Sequence, residues 1–183
     1  WSLDVAPRDV TDIAADVCAL PLATASVELI LCTEVLTHVR DYEGAIAEMV
    51  RALKPGGRLI VTFPFIYGEC DFTDFRRWTL MGMSDLLERA GCTVERAEPR
   101  GGAALATRAC CMSAVDNMIP GGRRSWRAER SLGGYFREVL INILEFPLVI
   151  LAWLAVGLDG ILPRSGLYTG GIVFATKAEA SNG

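Results

Sequence analysis

Two short apolar runs, Val27–Cys32 and Arg58–Phe63, flank one segment of helical periodicity. Each run is rich in β-branched residues and almost free of charge. A strand buried on both faces of a parallel sheet has this pattern. Between the runs, Ala45, Ile46, Met49, Val50 and Leu53 recur at helical spacing, with Glu43, Glu48, Arg51 and Lys54 on the opposite face. Lys54 falls in the last turn, where Pro55-Gly56-Gly57 is expected to stop the helix and turn the chain. Strand, helix and strand in roughly 40 residues form a βαβ unit, which almost always crosses over right-handed. Ligands of such sheets bind outside the carboxyl ends of the strands. Here those ends are Cys32-Thr33-Glu34 and Phe63-Pro64-Phe65.

Around this unit the pattern extends in both directions. Trp1–Val5 reads as the tail of a strand ending in an acid, and Ile13–Ala15 as a short strand followed by Asp16-Val17. Thr79 is placed to cap a helix over Leu80–Ala90, with Met83, Leu86, Leu87 and Ala90 on one face and Gly91 ending it. Cys92–Glu98 alternates as an outer strand does, residues 103–118 suit one helix, and Leu167–Lys177 reads as a closing strand.

Composition narrows the function. With 183 residues, 51% hydrophobic and 22% charged, the chain is globular and long enough for a sizeable core. A net charge of −4 argues against a nucleic-acid partner. One histidine excludes a multi-histidine metal site, and none of the six cysteines forms a CxxC pair. They read as reduced thiols of a cytoplasmic protein, and no metal is expected.

Several residues, in order, resemble those of a class I methyltransferase that uses S-adenosylmethionine, of the type 11-like kind. They are Asp16-Val17 with Leu20-Pro21, Ser26–Ile30, Val35-Leu36-Thr37-His38-Val39, Glu48–Gly57 and Phe63-Pro64. The likeness covers residues 1 to about 98 and, more loosely, the final strand. It implies an α/β, Rossmann-like, mostly parallel sheet with helices on both faces. It also implies one methyltransferase domain over 1–183, with a variable helical insertion at 100–165 before the last strand. The family has a first strand and a glycine-rich turn, because only glycine lets backbone approach the cofactor so closely. No such turn precedes Asp4. The chain is therefore expected to be a fragment lacking that central strand, with a gap in mid-sheet and weak or absent cofactor binding.

The resemblance also assigns roles. Asp4, with Val5, would hold the cofactor ribose, unless Asp4 is a solvated loop acid. Asp16 and Val17 would contact adenine, unless Asp16 instead caps a local turn. Thr33 and Glu34 would face the methionine end and the methyl group. His38 would be a general base on the acceptor or, more plainly, a histidine that hydrogen-bonds its loop. The segment Pro64–Thr79 interleaves aromatic and charged residues after a strand end. It partly matches a pattern of some bacterial relatives, with Asp74, Arg77 and Thr79 retained and Cys70, Thr73, Phe75 and Trp78 departing from it. Tyr67, Asp74 and Arg77 would face the acceptor there, unless Asp74 and Arg77 are a structural pair.

The expected reaction is methyl transfer to a small-molecule or glycan-type acceptor. Two rivals are an NAD(P)-dependent oxidoreductase on a similar sheet and a non-catalytic membrane-surface module. The latter would use the basic stretch around Trp126 (Arg123, Arg124, Arg127, Arg130) and the apolar stretch 139–162. The longest charge-free run there, Phe146–Leu158, has 13 residues, against roughly 20 needed to cross hydrocarbon. Peripheral membrane contact is expected at most.

Overall fold

The computed structural model describes residues 2–5, 9, 11–66, 68, 73–103, 105–107, 109, 110, 143, 146, 147, 150, 154 and 168–179. The elements are β1 (Leu3–Asp4), β2 (Ile13–Ala14), β3 (Val27–Thr33), α1 (Tyr42–Ala52), β4 (Leu53–Pro64), α2 (Leu80–Arg89), β5 (Cys92–Arg100) and β6 (Gly170–Lys177). β1 and β2 form a parallel two-stranded sheet. The other strands form a four-stranded sheet in the order β3-β4-β6-β5, with β3 and β4 parallel. The fold is the expected Rossmann-like α/β arrangement.

Two pairs of contacts fix the direction of β6. At its start, the Phe65 amide donates to the Thr169 carbonyl (2.8 Å), just past the end of β4. At its end, Lys177 Nζ donates to the Leu53 carbonyl (2.8 Å), where β4 begins. Likewise Thr169 N reaches Arg100 O at the end of β5, and Ala178 N reaches Gly91 O just before its start. β6 therefore runs antiparallel between β4 and β5, and β5 closes the edge.

The chain divides into two compact units. One comprises 1–63, 75–98 and 171–183; the other comprises 64–74 and 99–170 and takes in the expected insertion. The hydrophobic core belongs to the first unit: Ile46 and Met49 of α1, Leu59, Val61 and Phe63 of β4, Met83 and Leu87 of α2, and Val173 of β6. Caps fix both helix starts. Asp41 Oδ1 accepts from Gly44 N (2.9 Å), and Thr79 Oγ1 accepts from Gly82 N (3.0 Å). In the second unit, Phe65 stacks on Tyr168 at 4.7 Å.

Two expectations are corrected. α1 ends at Ala52, so Leu53 and Lys54 belong to β4. Val27 already pairs with Leu53, and Leu29 next pairs with Arg58. Residues 54–57 form an excursion within the ladder, and Gly56 takes the left-handed φ of 71° that it requires. Lys54 reaches across it to Glu28 (2.7 Å) and holds that carboxyl below its usual pKa. The second correction concerns β3, which is not buried on both faces. Its Ile30 and Cys32 face the core, but Leu29 and Leu31 are 50% and 61% exposed. A continuous apolar run does not show which face is covered.

The helix expected over 103–118 is described only at 103, 105–107, 109 and 110, which are helical. The stretch 120–130 and nearly all of 139–162 lie outside the described residues. Among the described residues no helix is long and apolar enough to cross a membrane, and no cluster suits a metal ion.

Candidate active site at the strand ends

The most constrained point is Glu34, directly after β3. Its φ is 57°, the left-handed region that side-chain-bearing residues rarely enter. Three hydrogen bonds hold it there. Its amide donates to the Thr62 carbonyl (3.1 Å), its Oε1 accepts from Thr62 Oγ1 (3.0 Å), and its carbonyl accepts from Thr37 Oγ1 (3.2 Å). Thr37 and Thr62 are the two buried polar residues of the described core. Thr62 pairs with Thr33 in the β3–β4 ladder, so Thr33 and Glu34 stand at the sheet's carboxyl edge, as expected. Strain of this kind persists only where its surroundings over-determine it, and it clusters at functional sites.

The next residues form a 3-10 turn, Leu36–His38, that brings His38 half-buried beside the same edge. The Thr37 carbonyl accepts from the Phe75 amide (2.9 Å), which lays residues 75–78 along this turn. Thr62 escaped the sequence reading, because a threonine in an apolar strand looks like β-branched filler. Only the register with Thr33 reveals it.

Asp4 ends β1, and Asp16 follows the end of β2 by two residues, so both stand at the same edge of a parallel pair. Asp16 Oδ1 accepts from Cys18 N (2.9 Å), the geometry of a local turn. The loop is anchored on α1. Leu20 N donates to Glu48 Oε2 (3.2 Å), Arg51 Nη2 donates to Leu20 O (3.3 Å), and Arg51 Nε pairs with Glu48 (2.8 Å). That guanidinium holds the Glu48 carboxyl below its usual pKa. Val17 packs half-buried on the core, and Val5 is exposed. Burial, then the Asp16 carboxylate, raises the Cys18 thiol, and burial pushes Cys32 up to about 12. Neither thiol is poised as a nucleophile at neutral pH.

Of the expected acceptor contacts, Tyr67 lies outside the described residues. Asp74 belongs to the second unit and Arg77 to the first, where Arg77 Nη1 donates to the Arg76 carbonyl (3.0 Å).

The methyltransferase domain family matches residues 3–61, which contain Asp4, Asp16 and Glu34. Over that stretch, less than half of the chain, the sequence is similar to a methyltransferase domain. Solved structures agree on the fold. The chain is similar to an S-adenosylmethionine-dependent methyltransferase from Mesorhizobium loti, with 16% identity and a TM-score of 0.51, over 96% of this chain and 78% of that one. It is also similar to the cyclase SpnF, with 19% identity and a TM-score of 0.53, over 92% of this chain and 56% of that one. The chain thus spans little more than half the length of SpnF. No curated protein matches it. The SpnF likeness shows that this sheet hosts more than one chemistry, so activity must be argued from the site.

Proposed function

We propose that the chain is part of a protein that transfers a methyl group from S-adenosylmethionine to a small-molecule or glycan-type acceptor. The observation that carries this reading is Glu34, held in a strained conformation by Thr62 at the sheet's carboxyl edge inside the family match. The residues present suit the cofactor. Asp4 ends one of two adjacent parallel strands and Asp16 follows the other; such strands run about 4.8 Å apart, a spacing that fits one nucleoside. Asp4 and Val5 bind the ribose, Asp16 and Val17 the adenine, and Thr33 and Glu34 the amino-acid end. When bound, the cofactor supplies a sulfonium-activated methyl carbon and a good leaving group.

The protein's part is alignment. His38 sits on the turn after Glu34, where its imidazole accepts the proton that an acceptor hydroxyl or amine must lose. Tyr67, Asp74 and Arg77 are assigned to acceptor binding. A cytoplasmic setting accords with free thiols at Cys18, Cys32, Cys92 and Cys110.

Calorimetry tests the cofactor assignment. S-adenosylhomocysteine, titrated to millimolar excess, is expected to bind this chain. NADH is expected not to bind. No binding of S-adenosylhomocysteine would overturn the assignment, and preference for NADH would replace methyl transfer by hydride chemistry.

A further inference from the structure

Two arginines beside this site are held over aromatic rings. Arg76 lies 4.0 Å from the Tyr42 ring centre and 5.9 Å from that of Trp78. Arg40 lies 4.3 Å from the Phe75 ring centre. The two are tied together, because Arg76 Nη2 donates to the Arg40 carbonyl (3.1 Å) and Arg40 covers the ring of Arg76's neighbour. Tyr42 and Trp78 meet edge to face at 5.7 Å, which fixes the platform under Arg76. Among the described residues no carboxylate forms an ion pair with either guanidinium. Asp41, next to Arg40 in sequence, spends its side chain on the α1 cap.

This arrangement has a physical consequence. Stacking on a ring restrains a guanidinium while leaving its edge N–H donors open. Each remains a cation on a restrained side chain, and water screens its charge only in part. An anion that accepts from both finds donors already restrained. A phosphate dianion, with three acceptor oxygens, matches two guanidinium forks better than a carboxylate does. Arg40 stands on the loop that begins at Glu34, and the Phe75–Thr37 hydrogen bond ties the segment of Arg76 to that loop.

We propose that Arg40 and Arg76 form a binding site for a phosphomonoester, and that the methyl acceptor carries this group. The second clause rests on the methyl-transfer reading; the anion site does not. The test therefore omits the cofactor. Phenyl phosphate, inorganic phosphate and benzoate are titrated against the chain, with binding followed by the amide shifts of residues 40 and 75–78. Phenyl phosphate is expected to bind at least about tenfold more tightly than benzoate. Arg40→Ala and Arg76→Lys are each expected to weaken phenyl phosphate by about tenfold or more. Arg76→Lys keeps the charge but loses the fork, and its thermal midpoint is the check that it folds. Inorganic phosphate is expected to move the same amides. Equal binding of benzoate, shifts that survive in the Arg40→Ala/Arg76→Lys double variant, or no binding to the folded wild type would overturn the site. If phenyl phosphate binds as expected but S-adenosylhomocysteine does not bind at all, the anion site stands and its link to methyl transfer falls.

Discussion

Glu34→Gly is expected to leave the fold close to its original stability while weakening cofactor binding about tenfold to a hundredfold. The backbone at Glu34 is left-handed, which costs a side-chain-bearing residue roughly 1–2 kcal/mol. Glycine takes that conformation without penalty. The same change removes the Thr62–Glu34 side-chain hydrogen bond, worth about 1 kcal/mol. The two effects nearly cancel, so the unfolding free energy should move by no more than about 1 kcal/mol. Binding should not be spared. A carboxylate that accepts from a ligand ammonium or hydroxyl contributes about 1.5–3 kcal/mol, so affinity for S-adenosylhomocysteine should fall about tenfold to a hundredfold. Titration with the ligand, beside thermal unfolding of the same samples, measures both quantities. Large destabilisation with unchanged affinity would make Glu34 a purely structural residue.

Phe63→Ala is expected to produce the largest loss of stability. Phe63 is fully buried in β4, at the centre of the first unit. Its ring packs on the bare backbone of Gly171, where an added Cβ would lie 2.8 Å from both Phe63 Cε2 and Leu80 Cδ2. Deleting the ring opens a cavity that three elements line, and such changes cost about 3–5 kcal/mol. For a domain of this size that lowers Tm by roughly 10 °C. Leu31→Ala, on the exposed face of β3, should cost well under 1 kcal/mol by comparison. Equal effects of the two substitutions would mean that the core lies elsewhere.

The central βαβ unit was legible because its signals agree with one another. The apolar runs became β3 and β4, the periodic segment became α1, and Thr79 capped α2 as its position suggested. The misreadings have local causes. Leu53 and Lys54 continue the helical spacing, and nothing local shows that Val27 will claim Leu53 for the ladder. Glu34 and Asp16 could be picked out by their place after strands. The partners that define them could not, because Thr62 is brought to Glu34 by register and Glu48 to Leu20 by packing. Interleaved aromatics and arginines were visible at 65–78, yet Tyr42 and Arg40, which complete the cation–π pairs, come from a distant stretch.

The central claim is that one ligand spans the carboxyl edges of β1, β2 and β3. Amide chemical shifts of the isotope-labelled chain, followed as S-adenosylhomocysteine is added to millimolar excess, test it most directly. The account predicts coherent shifts at Asp4–Val5, Asp16–Val17 and Thr33–Glu34, with the core of α2 unmoved. Shifts confined to other residues, or the same three positions responding to NADH instead, would contradict it.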